Sequence, residues 1–145
     1  MDNIESLMMN NFCRFKRLNE KKLEAISKKY DLRKIDMEIM VFLASSGEKN
    51  TAKDIAATER FTKGHISQSV KRLSESGLLS SRQDENDNRV QHLKLTEKAG
   101  QILNEMNKVK EDMEACIFSG ITKQEMNTLR KIFDKMHDNV TKELD

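Results

Sequence analysis

The stretch TKGHISQSVKRLSESGLLSSRQDENDNRVQHLKLTEKAG, Thr62–Gly100, joins three patterns that belong together only in a few folds. Thr62 is a helix N-cap residue, Ile66, Val70 and Leu73 recur at helical spacing, and Gly77 stands where a helix would stop. LLSSRQ and RVQHLKL are short strand candidates, and the DENDN between them is turn chemistry, so the pair predicts a hairpin. Thr96 then opens another helical pattern.

Upstream, TAKDIAATER begins with Thr51 and has Asp54 three residues on, a capping-box start with Asp in place of Glu or Gln. Its buried side is expected to be Ala52, Ile55 and Ala56, and a tight turn around Thr58–Phe61 would join it to the Thr62 helix. Two short helices so joined, the first small and apolar and the second polar and basic, suggest a helix-turn-helix. Before them, residues 36–45 are apolar on most sides, which predicts an internal helix. From Ile4 to Tyr30 an apolar stripe through Met8, Phe12, Phe15, Leu23 and Ile26 predicts a long amphipathic helix. Thr96 to about Phe118 predicts another, with Cys116 near its buried stripe. SGI breaks it, and Thr122 with Glu125 caps a last helix along Met126, Leu129, Ile132, Phe133, Met136 and Val140. The expected fold is mainly α with a small β-hairpin, in the order α α α α β β α α. The expected organisation is an N-terminal dimerisation helix (1–35), a winged helix-turn-helix (36–98) and C-terminal dimerisation helices (99–145).

Composition agrees. The chain has 145 residues, 34% of them charged and 5% aromatic, with no Pro and 5 Gly, so little interrupts long helices. Net charge is +2, which leaves the distribution of charge, not its sum, to indicate partners. No apolar run approaches the ~20 residues that span a bilayer, and MDNIESLMM lacks the basic start of a signal peptide, so a cytoplasmic protein without membrane contact is expected. There is no Gly-rich phosphate loop, nucleophile elbow or carboxylate dyad, which argues against an enzyme. His65, His92 and His137 fall in three different elements without metal-ligand spacing, and no cofactor or metal is expected.

Between Arg60 and Ser74 stand Arg60, Lys63, Lys71 and Arg72 and no acid, interleaved with Thr62, His65, Ser67, Gln68 and Ser69. These side chains can read base edges or hold phosphates in a major groove. An ordinary solvated helix face is the competing reading. The hairpin weighs against it, because a solvent loop needs only polar residues. This one carries Arg82 at its base and Arg89 just beyond Asp87. A turn-held arginine suits the negative potential of a minor groove, and a nearby carboxylate can fix its direction. Thr51 and Lys53, at the start of the first short helix, complete the candidate set for contact with double-stranded DNA.

SRQDENDNRVQHLKLTEKAG resembles the wing signature of the MarR family of bacterial regulators, through Arg82, Asp87, Arg89, Leu93, Leu95, Thr96 and Gly100. HISQSVKRLSESGLL is similar to that family's recognition helix and its exit, through Leu73, Gly77 and Leu78, and the long flanking helices match its dimerisation elements. The resemblance covers essentially the whole chain, although the wing is rich in Asn and acids and a family-typical Pro before the second helix is missing. It implies a homodimeric winged-helix transcription factor, usually a repressor released by a small ligand or by oxidation.

The outer helices point to a dimer by their own pattern, since their stripes exceed what the small central domain can cover. Met-rich cores can line pockets for a small apolar or phenolic effector, though Met more often just fills space. Cys13, beside Arg14, Lys16 and Arg17, is the one possible redox residue; oxidant sensing through it is an alternative to ligand release, and a buried or incidental thiol is the plainer reading. A helical interaction dimer that does not bind DNA is the alternative from another class.

Overall fold

The computed structural model describes residues 3–145; Met1 and Asp2, counted above in the N-terminal helical segment, lie outside the described residues. Its elements are α1 (Ile4–Tyr30), α2 (Lys34–Ser45), α3 (Ala52–Ala56), α4 (Lys63–Glu75), β1 (Leu79–Gln83), β2 (Gln91–Leu95), α5 (Glu97–Ile117) and α6 (Lys123–Leu144). The chain is mainly α with one antiparallel hairpin, in the order read from the sequence. It divides into two units, Met1–Lys110 and Glu111–Asp145.

The helix ends have local causes. Asn3, Thr51, Thr62 and Thr122 each accept a backbone N–H from the first turn of the helix they cap. At Thr51 the box is closed, with Asp54 Oδ2 2.9 Å from the Thr51 N–H donor, and Glu125 does the same for Thr122 at 2.8 Å. Helix α4 stops where Gly77 takes a φ of +73°, which lets the Leu78 N–H return to the Leu73 carbonyl at 2.9 Å. The Thr96 hydroxyl then donates to the Gly77 carbonyl at 2.6 Å and Lys98 Nζ to the Ser76 carbonyl at 2.9 Å, tying the start of α5 to the exit of α4.

The core of the first unit is built from one to three inward apolar positions per element. Ile39 and Met40 of α2, Ile55 of α3, Ile66 and Leu73 of α4, Leu79 and Leu93 of the hairpin, and Ala99, Ile102 and Met106 of α5 are all buried. Burying a side chain the size of Ile66 or Leu73 contributes roughly 1.5–3 kcal/mol before chain entropy is counted. Register in the hairpin pairs Leu79 with Leu95 and Ser81 with Leu93, so the leucines lie on the face toward the helices. Helix α1 joins through its C-terminal half: Ile26 is buried, and Glu105 of α5 accepts from Tyr30 Oη at 2.6 Å and Lys29 Nζ at 2.9 Å.

Three expectations about burial are corrected. Helix α2 is not internal on every side, since Val41 is 49% exposed; it packs against α4 and β2 on one face only. Ala52 is exposed, because a five-residue helix has room for one fully inward position, taken by Ile55. Cys116 is exposed, one residue off the stripe that it was expected to join.

Candidate nucleic-acid interface

Helix α4 separates its residues by face. Ile66, Ser69 and Leu73 are buried and Val70 is half-buried, while Lys63, His65, Ser67, Gln68 and Lys71 are exposed. A 100° step per residue places the exposed set on the side away from α2 and α3. Neither Lys63 nor Lys71 takes part in an ion pair among the described residues, so both charges face solvent. Thr62 is spent partly on the helix end, its Oγ1 accepting the His65 N–H at 3.2 Å. Thr51 is likewise engaged in its cap, its hydroxyl donating to Asp54 Oδ2 at 2.8 Å, whereas Lys53 is exposed.

Two residues of the expected reading set turn inward. Ser69 is fully buried and donates from Oγ to Asp36 Oδ1. Arg72 donates from Nη2 to Asp36 Oδ1 at 2.8 Å and from Nε to Oδ2 at 3.4 Å. Asp36 is itself 1% exposed and also accepts the Arg33 backbone N–H at 2.9 Å. Burial alone would raise the Asp36 carboxyl, but the hydrogen bonds from Arg72, Ser69 and Arg33, with the charge of Arg72, hold it below the usual carboxylate range. Arg72 is therefore a tie between α4 and α2, with its side chain engaged at Asp36 and not free on the exposed face. A buried Asp at the third position of α2 demands a cation, and α4 offers one a turn beyond Ser69. That pairing needs the third dimension, which periodicity along one helix does not supply.

The wing is ordered from within. Asp84 Oδ2 accepts the backbone N–H groups of Asn86 and Asp87 at 2.9 and 3.1 Å, and the Asp84 N–H reaches the Val90 carbonyl at 2.9 Å. Asp87 Oδ1 in turn accepts the Arg89 backbone N–H at 3.0 Å and Arg89 Nε at 3.2 Å. The Arg89 side chain is 91% exposed, so its guanidinium is aimed outward from a fixed base. Arg82 is also exposed and lies 4.0 Å from Glu85, a contact worth little between two solvated groups.

His92, which the sequence marked only as lacking metal spacing, sits at the wing's root. Its Nε2 lies 2.6 Å from Asp84 Oδ1 and its Nδ1 2.7 Å from Asn50 Oδ1. Next to it Thr51 and His92 form a β-bridge, and the Leu93 N–H donates to the Asn50 carbonyl at 2.8 Å. The His92 hydrogen bond, with those from the Asn86 and Asp87 N–H groups, holds the Asp84 carboxyl below its ordinary range. Asp84 is half-buried and organises the turn. Cys13, the possible redox residue, is exposed on α1 and unbridged. No group of three or more His, Cys, Asp or Glu able to hold a metal occurs among the described residues, and no described helix is long and apolar enough to cross a membrane.

A sequence-family model described as a winged helix DNA-binding domain matches residues 32–99. Several solved structures share the fold of the whole chain. The MepR–DNA complex of S. aureus aligns with a TM-score of 0.77 at 19% identity, over 96% of this chain and 99% of that one. A MarR transcriptional regulator from Methanosarcina mazei Go1 gives 0.78 at 16% identity, over 94% and 98%. Wild-type apo MarR from E. coli gives 0.74 at 17% identity, over 94% and 97%. Residues 32–99 thus match a winged helix DNA-binding domain, in a chain whose overall fold is that of the solved MarR and MepR structures.

Proposed function

We propose that the protein is a transcriptional regulator that binds double-stranded DNA as a homodimer, acts as a repressor on a pseudo-palindromic operator, and is released by a small-molecule effector. The observation that carries DNA contact is the pairing of a solvent-facing α4, bearing Lys63, His65, Ser67, Gln68 and Lys71, with an outward arginine at the wing tip. Helix α4 would enter the major groove and the wing the adjacent minor groove. It is a binding role rather than a catalytic one. The test is selection of duplexes from a random library by the purified protein. Recovery of an inverted repeat with half-sites about one helical turn apart supports the reading; recovery of no sequence, and no salt-dependent binding to any duplex, overturns it.

Dimerisation through 1–35 and 99–145 is supported by apolar surface that the single chain leaves open. Ile4, Met9 and Phe12 of α1 are each more than 60% exposed. Ile132, Phe133 and Val140 of α6 are about half exposed, and no residue of α6 is buried. Surface of this extent asks for a partner, most simply a second copy about a two-fold axis. Sedimentation at micromolar concentration should give about twice 16.8 kDa, and a clean monomer would remove this part of the proposal. The effector is assigned to an open cleft of about 1020 Å³ lined by Leu23, Met37, Phe42, Phe61, Leu103 and Met106 with Glu20, Lys34 and Arg60 at its polar edge. That lining suits a small apolar or phenolic molecule with one polar end.

Gln68 is the proposed base reader, since a glutamine amide can pair bidentately with adenine and discriminate by ~1–3 kcal/mol. Gln68→Ala should relax preference at one base pair per half-site while leaving the salt dependence unchanged. An equal loss of affinity on every sequence would show that Gln68 does not read bases.

A further inference from the structure

A continuous hydrogen-bond path runs from the helix-turn-helix to the wing tip. It starts at Asn50, the residue before the Thr51 cap of α3, and passes through His92 to Asp84. Asp84 holds the Asp87 N–H, and Asp87 holds Arg89 at both its backbone and its guanidinium. His92 is the link in this path whose side chain bridges the two parts. We propose that His92 is a positioning residue that locks the wing to the helix-turn-helix, and that its protonation sets how tightly the protein holds DNA. The inference rests on the reading of this domain as DNA-binding.

Donor and acceptor accounting gives the mechanism. Both atoms facing the ring are oxygens, Asp84 Oδ1 and Asn50 Oδ1, and an oxygen of a carboxylate or an amide carbonyl can only accept. A ring that satisfies both must donate from both nitrogens, which is the imidazolium. Loss of the proton leaves one N–H for two acceptors. Either Asn50 turns its amide over to donate, or one of the two bonds is lost. In either case the Asn50 backbone stays in place, its carbonyl held by the Leu93 N–H. Histidine is the side chain whose ordinary charge change falls between about pH 5 and 8, so the clasp has a protonated and a neutral form.

Asp84 faces the ring from the wing, and Asp54 of α3 is near enough for His92 to help hold its carboxyl low, after the dominant hydrogen bonds from Thr51. Lys49, just before α3, also acts on Asp54, and Arg82 stands opposite His92 in the hairpin register. Of these charged groups only Asp84 touches the ring. DNA binding should favour the protonated clasp, because it fixes Arg89 and adds one positive charge near the phosphates.

The experiment uses full-length protein and a duplex that the wild type selects from a random library, with affinity measured by fluorescence anisotropy from pH 5.5 to 8 at fixed ionic strength. The wild type should bind about tenfold tighter at the acid end, one tenfold step being what a single coupled proton gives per pH unit at most. His137→Gln removes a histidine outside the proposed DNA-contacting set and should keep that pH dependence. His92→Gln should flatten it. Asn50→Asp puts a second carboxylate on the ring and should move the midpoint of the pH dependence upward. This variant also serves if His92→Gln fails to fold, since it keeps both hydrogen bonds. A His92→Gln protein with the wild-type pH profile, or an Asn50→Asp profile that does not move, overturns the inference and leaves DNA binding intact. A wild type that selects and binds no duplex at any pH overturns both together.

Discussion

Arg89→Ala should weaken binding to a selected duplex by about 100-fold while the protein keeps its fold and its oligomeric state. A hydrogen bond from a charged group contributes about 1.5–3 kcal/mol, and a dimer presents two wings, so about 3 kcal/mol is at stake, at 1.4 kcal/mol for each factor of ten. The expectation is large because the side chain is pre-positioned. Asp87 holds Arg89 through the backbone N–H and through Nε, which removes rotamer freedom before any ligand arrives while leaving the outer guanidinium nitrogens for it. Asp87→Ala should therefore act in the same direction, more mildly, by freeing a side chain that is still present. The two modes of DNA engagement are distinguishable. If each Arg89 pairs with a phosphate, removing both from the dimer reduces the log–log salt slope by about 1.8 in total. A guanidinium inserted in the minor groove gives instead an affinity decrease that depends on the flanking sequence, greatest where A-tracts narrow the groove. Circular dichroism and sedimentation serve as controls, since Arg89 is almost wholly solvated and contributes to no core. If the alanine variant binds specific DNA as tightly as the parent, the wing is a structural hairpin.

How far these side chains could be read from the chain alone depends on the range of the interaction that places them. The Asp87–Arg89 pair is two residues apart in a turn, so its geometry follows from local sequence, and the expected orientation of Arg89 by Asp87 is what the wing shows. The caps at Thr51, Thr62 and Thr122 and the stop at Gly77 are equally local. His92 with Asn50 spans 42 positions, and Arg72 with Asp36 spans 36. Neither leaves a periodic trace, and a basic residue on a polar helix looks the same whether it faces DNA or a buried carboxylate. Ser69 carried a usable signal: it falls one step before Val70 and four before Leu73, on the inner half of the α4 seam, where a hydroxyl must find a partner. The exposure of Cys116 and Val41 had no such signal. A single apolar residue at the edge of a stripe is placed by the neighbouring elements, not by its own helix.

Removing Arg72 should be the most destabilising single change in the winged helix, at about 3–5 kcal/mol for Arg72→Ala. The reason is an asymmetry within the pair. Asp36 is buried, so without its cation it keeps an uncompensated charge in the interior; Arg72 is 29% exposed in its side chain and can turn to water if Asp36 is removed. Asp36→Asn should thus cost less, about 1–2 kcal/mol, since the amide oxygen still accepts from Ser69. The replacement of both, Asp36→Leu with Arg72→Met, should recover most of the stability that Arg72→Ala takes away, because a hydrophobic pair of similar volume removes the stranded charge. The pair also fixes the sign of the acid response. The folded-state carboxyl of Asp36 lies below its unfolded value of about 3.9, so its contribution is full above that value and disappears as pH falls through the lower, folded one. Unfolding of the wild type should accordingly become easier from about pH 4–5 downward, and Asp36→Asn should lose less over the same interval. Denaturant titrations at pH 7 and pH 3 measure both effects. DNA affinity should fall with Arg72→Ala even under conditions where the protein is folded, because α4 then loses its tie to α2 while every outward residue remains. An Arg72→Ala protein within about 0.5 kcal/mol of the parent at pH 7 would mean that the carboxylate is served by water and Ser69 alone, and the α2–α4 tie would not be what orients the helix.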